Sequence, residues 1–152
     1  MKNIFILLLL ASGLLSVSSC KDDDKELSCG EQLEGTWRAT SVSLDNEELL
    51  GPSKSLSVVE IEYRNFSVSD GEGDVRINFQ FNGEPPQFIE GTYEPNNSCS
   101  RVEMPDFWAG AQSTIDLDIR ELDEERLHLR INYTYSGDTE IDGNVNLELE
   151  KL

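Results

Sequence analysis

The sequence has little of what most enzyme chemistry needs. Its 152 residues include one histidine and three cysteines, and no Gly-rich phosphate loop or metal-ligand spacing occurs. The histidine, His128, falls between Leu127 and Leu129 on the polar side of an alternating segment, where we expect it to be solvated. Residues 70–74 alternate acids with glycine but lack the glycine and glutamate positions of a calcium loop, so we expect a hairpin turn. The sequence therefore predicts no enzyme, no metal site and no cofactor.

Positive charge is also scarce. Lysine and arginine number 12 against 30 aspartates and glutamates, which gives a formal net charge of −18. Nucleic acids and anionic lipid headgroups repel a chain of this charge. We therefore predict no nucleic-acid binding and expect neutral, cationic or apolar partners.

Long apolar runs are absent except at the N-terminus, where Ile4 to Leu15 follow Lys2. The run has the length of a signal-peptide core, roughly 7–15 residues, and is too short to span a bilayer. The small residues 17–19 then lead to Cys20. This pattern resembles the lipobox of bacterial lipoproteins, in which signal peptidase II cuts before the cysteine and acyl chains such as palmitate are attached. The resemblance implies a signal peptide at 1–19 and lipidation of Cys20; an ordinary secretory signal is the alternative.

The acidic run behind that cysteine carries a second resemblance. Residues 21–24, Lys-Asp-Asp-Asp, resemble the export signal of Bacteroidetes lipoproteins. The resemblance implies a lipid-anchored outer-membrane protein on the cell surface, with the periplasmic face as the alternative. Like charges also repel and prevent packing, so we predict that residues 20–32 form the lipidated cysteine and an acidic tether. The membrane is then a partner through the N-terminal lipid anchor.

The two other cysteines are Cys29 and Cys99. Outside the cytoplasm an isolated pair predicts a disulfide. This bond would pin the end of the tether to the middle of the domain. Two unpaired thiols are the alternative.

The rest of the chain alternates apolar and polar residues, as half-buried strands do. Turn residues separate the alternating segments, and no helical spacing continues beyond about one turn. Strands are expected near residues 33–42, 56–68 with a bulge at 64–65, 75–81, 88–94, 102–104, 115–120, 127–133 and 141–149. About eight strands at hairpin spacing predict an all-β antiparallel barrel or sandwich.

Gly35-Thr36-Trp37 distinguishes between these two folds. A G-x-W near the start of the first strand resembles the lipocalin family. The chain is more closely similar to lipocalin-like domains of Bacteroidetes lipoproteins, which often carry a later Gly-Thr-Tyr, here residues 91–93. The resemblance implies an eight-stranded up-and-down barrel over residues 33–152. It also implies that Gly35 lets the chain bend and that Trp37 plugs the closed end. An immunoglobulin-like β-sandwich with Trp37 as an ordinary core residue is the alternative.

The chain departs from the lipocalin pattern at two places. The Thr-Asp-Tyr that precedes the seventh strand in that family is absent, because residues 122–125 read Leu-Asp-Glu-Glu. The family's late arginine, which covers the tryptophan, has three candidates here, Arg120, Arg126 and Arg130.

Two hypotheses about function follow from this barrel. In the first, it holds a small hydrophobic ligand against its inward apolar side chains, with a loop near residue 107 at the mouth. The predicted ligand-binding residues are Trp37, Ile77, Phe79, Phe81, Phe107, Trp108, Leu117, Leu129, Ile131 and Tyr133. In the second, the barrel is filled with side chains and its outer surface contacts an envelope protein partner.

Overall fold

The computed structural model describes residues 26–105, 115–136 and 140–152; for residues 133–136 and 140–142 it describes the backbone alone. The signal peptide, Cys20, Phe107 and Trp108 lie outside the described residues. Within the described ranges, no helix combines the length and the apolarity needed to cross a bilayer.

The described chain is almost entirely β-structure, with one short helix at its start. The elements are α1 (Cys29–Leu33), β1 (Gly35–Leu44), β2 (Glu47–Glu48), β3 (Leu56–Ser67), β4 (Glu72–Phe81), β5 (Gln87–Pro95), β6 (Arg101–Met104), β7 (Ile115–Leu122), β8 (Arg126–Ser136) and β9 (Glu140–Lys151).

Eight of the strands form a closed barrel. Each strand from β3 to β9 is antiparallel to the next, and β1 pairs with both β3 and β9. Trp37 shows the closure directly, since it lies opposite Ile61 on one side and Lys151 on the other. The two-residue β2 pairs with the end of β1. The predicted up-and-down barrel is confirmed, and the sandwich alternative is wrong because one continuous sheet closes on itself.

The hydrophobic core lies inside the barrel. Successive side chains of a strand point to opposite faces, so the alternate apolar residues of every long strand face inward. The buried apolar residues are Cys29, Leu33, Trp37, Ala39, Val42, Val59, Ile61, Tyr63, Val75, Tyr93, Val102, Met104, Leu117, Leu127, Leu129, Leu147 and Leu149.

The β3–β4 hairpin confirms one local prediction and corrects another. The register shifts between Arg64 and Ser67, and Asn65 has φ 56°, as expected for the predicted bulge. The turn lies at 68–71 instead of 70–74, because Gly71 adopts φ 74° and strand pairing starts at Glu72. Gly73 is buried in β4, where any side chain would overlap the ring of Tyr93.

The helix α1 begins inside the range 20–32 that we predicted as tether. The side chain of Ser28 caps the N-terminus of this helix. The backbone N–H of Ser28 donates to Glu31 Oε2 at 2.8 Å, which completes a capping box. Cys29 is bonded to Cys99, which confirms the predicted disulfide and holds the helix against the barrel. The packed part of the chain therefore begins at Ser28 instead of residue 33.

Candidate functional site

One end of the barrel, which we call the floor, is closed around Trp37. The indole is fully buried, and its Nε1–H donates to the carbonyl oxygen of Leu33 at 2.7 Å. Lys151 lies over the same ring, with Nζ 4.9 Å from the ring centroid. The helix α1 and the last strand thus both seal the floor.

The cation over Trp37 corrects an expectation. We expected one of three arginines there, but Arg120, Arg126 and Arg130 bond to the polar side chains of Asp118, Asp123 and Asn144. Lys151 takes the position because β9 closes the barrel against β1.

Gly35 lies directly beside this lysine. Its φ is 130°, and a Cβ at this position would lie 2.6 Å from Lys151 Cε. The glycine of the G-x-W motif therefore also makes room for the cation.

A pair of tyrosines forms the layer next to the floor. Tyr63 and Tyr93 are buried with ring centroids 4.8 Å apart in an edge-to-face arrangement. Tyr93 donates its hydroxyl hydrogen to the carbonyl oxygen of Gly30 at 3.4 Å. Burial raises the pKa of both phenols; for Tyr93 the negative charges of Glu34 and Asp74 raise it further. Both tyrosines remain neutral, and their role here is packing.

Along β4 and β8, burial of the inward side chains decreases away from the floor. Along β4, Val75 is fully buried whereas Phe81 is 39% exposed. Along β8, Leu129 is fully buried and Ile131 is only partly buried. The partly buried residues of the inner wall are Ile77, Phe79, Ile89, Ile115, Ile131 and Val145. Within the described residues, these two strands are therefore packed near the floor and less covered at the other end, which we call the mouth, whereas Val59, Met104 and Leu117 stay buried at that level.

The inner wall near the mouth is apolar. Phe79 and Phe81 pack edge to face, with centroids 5.7 Å apart. Among the residues that the structure describes, the fully buried side chains are aliphatic, sulfur-containing or aromatic, and the hydroxyl of Tyr63 is buried among them without a hydrogen-bond partner. A wall of this kind favours uncharged apolar groups, because a polar group placed there would lose its hydrogen bonds to water.

The β1–β3 connection is fastened beside the mouth. Asn82, in the turn after β4, donates through Nδ2 to the carbonyl oxygens of Gly51 at 2.8 Å and Lys54 at 2.5 Å. Its backbone N–H donates to the carbonyl oxygen of Ser55. Leu49 and Leu50 pack against the core from the same segment. We call residues 45–55 the mouth loop.

Glu48 holds the base of the mouth loop. Its carboxylate accepts hydrogen bonds from Ser41 Oγ at 2.6 Å, from Val42 N at 3.0 Å and from Leu50 N at 2.9 Å. The Ser41 hydroxyl contributes most, and with the backbone N–H donors it lowers the pKa of Glu48 below its usual value.

We expect Glu48→Gln to lower the free energy of unfolding at pH 7 by about 1 kcal/mol, because an amide accepts these hydrogen bonds less well. A lowered pKa stabilises the fold above the unfolded-state pKa, and this stabilisation is lost as the pH falls through the folded-state value. Urea unfolding at several pH values measures it. The two proteins should converge in stability only when the pH falls below the lowered folded-state pKa of Glu48. A constant difference across that range would contradict the role of the charged carboxylate.

The seven predicted ligand-binding residues whose side chains the structure describes divide into two groups. Trp37 is fully buried in the floor, and Leu117 and Leu129 are buried at 3% and 0% exposure. These three belong to the buried core, and their role as ligand contacts stays a prediction. The alternating pattern identifies inward residues but carries no information about their height in the barrel.

The other group reaches the upper inner wall. Ile77, Phe79 and Ile131 are partly buried there, and Phe81 lies at the rim. Phe107, Trp108 and the side chain of Tyr133 lie outside the described residues. Ile89, Ile115 and Val145 share this wall but were not among the predicted residues, although the same alternation contained them.

His128 lies on the outer face, with Glu121 and Glu148 opposite it on the neighbouring strands. It is partly buried and its Nε2 has no hydrogen-bond partner, so it is less solvated than we expected. Across the described ranges, no group of three metal-binding side chains comes together.

No protein-family model matches this sequence, and no curated protein matches it. Solved structures do match its fold. Lobster apocrustacyanin A1 is 14% identical with a TM-score of 0.51, over 80% of this chain and 61% of that one. A bovine odorant binding protein triple mutant is 12% identical with a TM-score of 0.50, over 80% and 74%.

A complex of bovine odorant binding protein with a selenium-containing odorant is 13% identical, with a TM-score of 0.50, over 84% of this chain and 74% of that one. These neighbours are lipocalin-family proteins, so the lipocalin-like barrel is confirmed as a fold. This chain spans about three-fifths of the length of the crustacyanin that it matches.

Proposed function

We propose that this protein is a non-enzymatic, membrane-anchored lipoprotein whose barrel binds a small apolar ligand at its mouth. The decrease in burial along the inner wall carries the proposal. Near the floor Trp37, Val75 and Leu129 are fully buried, whereas Ile77, Phe79 and Ile131 keep part of their apolar surface uncovered. Covering such surface stabilises a complex by roughly 25 cal/mol per Å².

One structural neighbour supports the kind of ligand. The bovine odorant binding protein was solved with a bound selenium-containing odorant, within the same fold. Because the likeness is limited to the fold, the ligand of this chain has to be argued from its own apolar wall. That wall favours an uncharged molecule small enough to fit above Tyr63 and Tyr93.

We expect native mass spectrometry of residues 21–152, after incubation with a lipid extract, to show a saturable one-to-one adduct. The variant Phe79→Trp should lose most of this adduct, because the larger ring occupies the upper interior. Phe88→Trp makes the same change on the outer wall, where Phe88 is 57% exposed, and should keep the adduct. A bare protein mass under all conditions would contradict ligand binding.

One feature of the outer wall favours a second function, contact with an envelope protein. Phe88 is 57% exposed, with the Arg76 guanidinium 4.2 Å from its ring centroid. Aromatic residues and arginine are both enriched in protein interfaces. Cross-linking on whole cells tests this function, because a partner captured by the wild type should be lost in Phe88→Ala.

We further propose that Cys20 carries the lipid anchor, at the outer membrane. Several acyl chains make anchoring effectively permanent, at roughly 0.8 kcal/mol per buried methylene. We expect Cys20→Ala to leave the protein soluble or unprocessed, as measured by cell fractionation. Full retention of this variant in the membrane fraction would contradict the anchor.

The acidic residues behind Cys20 support a position on the cell surface. Protease added to intact cells should then degrade the protein, while a periplasmic control protein survives. Protection of the protein from the protease would place it on the periplasmic face.

A further inference from the structure

We propose that the floor of the barrel faces the anchoring membrane and the mouth faces away from it, so that the ligand enters from the aqueous phase. This inference rests on the proposed anchor at Cys20. It extends that function by excluding direct uptake of the ligand from the bilayer in which the protein is anchored.

The chain joins the barrel at the floor. Residues that follow the tether enter α1 directly, and the disulfide between Cys29 and Cys99 fastens this helix to the β5–β6 connection. The carbonyl oxygen of Leu33 accepts the hydrogen bond from Trp37 at the end of the same helix. A lipid anchor at Cys20 would therefore be joined to the described domain at its closed end.

Even at its greatest extension, the tether is only about as long as the barrel is high. From Cys20 to Ser28 the chain spans at most about 29 Å. The strand β9 has 12 residues. At about 3.3 Å per residue and a tilt near 40°, it gives the barrel a height of about 28 Å. The mouth reaches the bilayer only if the tether lies fully extended along the barrel wall.

Charged side chains on the floor disfavour its entry into lipid. Glu31, Asp123, Glu124 and Lys151 line a cleft beside Leu27. Charged groups lose their hydration in hydrocarbon, so the floor stays at the surface of a bilayer with anionic or zwitterionic headgroups. The mouth then lies about one barrel height further into the aqueous phase.

Energy transfer on the lipidated full-length protein tests this orientation. The protein is placed in phosphatidylcholine vesicles that carry an acceptor dye on their headgroups. A donor dye is attached at Glu124→Cys on the floor or at Pro85→Cys near the mouth, both exposed positions in turns, with the native disulfide kept oxidised. We expect transfer from the floor label to be at least about twofold stronger than transfer from the mouth label.

The outcomes separate the orientation from the anchor. Vesicle flotation is measured first; a protein that does not float contradicts the anchor and, with it, the orientation. A floating protein with equal transfer at both positions, or with stronger transfer at Pro85→Cys, overturns the orientation alone. Insertion of about 20 Gly and Ser residues between Lys25 and Glu26 should bring the two signals closer together, because the mouth can then reach the surface. An unchanged ratio would show that tether length does not set the orientation.

Discussion

Trp37→Ala is expected to lower the free energy of unfolding by about 3–5 kcal/mol, the range for removing a buried aromatic side chain from a packed core. The indole is fully buried, and its loss also leaves the carbonyl oxygen of Leu33 without its donor. Domains of this size are stable by about 5–15 kcal/mol, so the change removes a large part of the total. Urea unfolding followed by circular dichroism measures it.

Two further variants separate the contributions of Trp37. Trp37→Phe keeps most of the apolar volume but loses the N–H donor to Leu33, so its cost should be smaller, about 1–3 kcal/mol. Phe88→Ala removes an exposed ring and should change stability by about 0.5 kcal/mol or less. If Trp37→Ala were as mild as Phe88→Ala, the floor would not be the packed end of the barrel.

Removing the disulfide is expected to have a comparable effect. Replacing both Cys29 and Cys99 by alanine should lower the free energy of unfolding by roughly 4 kcal/mol, because the bond closes a chain separation of 70 residues. The helix α1 has only five residues and is unstable without tertiary contacts. If α1 unfolded, Trp37 and Tyr93, which donate hydrogen bonds to this helix, would also become more exposed.

The reduced wild type is the matched control for this double variant. Urea unfolding of the oxidised protein should differ from both, whereas the reduced wild type and the alanine variant should agree with each other. Hydrogen exchange should show the amides of α1 losing protection first. Equal stability of the oxidised and reduced proteins would contradict a stabilising role for the bond.

Several features could be predicted from the sequence for physical reasons. A strand with one buried face must alternate, so residues such as Val75, Ile77 and Phe79 identified β4 and its inward side. The Arg64–Asn65 bulge and the disulfide were also predicted correctly. The disulfide pairing could be predicted because only two cysteines remain once Cys20 is assigned to the anchor.

Features that depend on tertiary contacts could not be predicted from the sequence. The helix α1 is too short to show a helical period, and the acidic residues around it favoured a tether. Glu48 is one of 30 acidic residues, and only the folded mouth loop brings Ser41 and Leu50 to its carboxylate.

By itself, the sequence determined the strands, their inward faces and the cysteine pair, because each depends on local period or composition; the closed end at Trp37 followed from the resemblance of Gly35-Thr36-Trp37 to the lipocalin motif. The tertiary structure decided that Lys151 covers Trp37, since only barrel closure brings β9 beside β1. It also decided which inward residues are core and which are wall, placing Leu129 below Ile131. Height in the barrel depends on strand register and closure, and a period of two residues does not encode either of them.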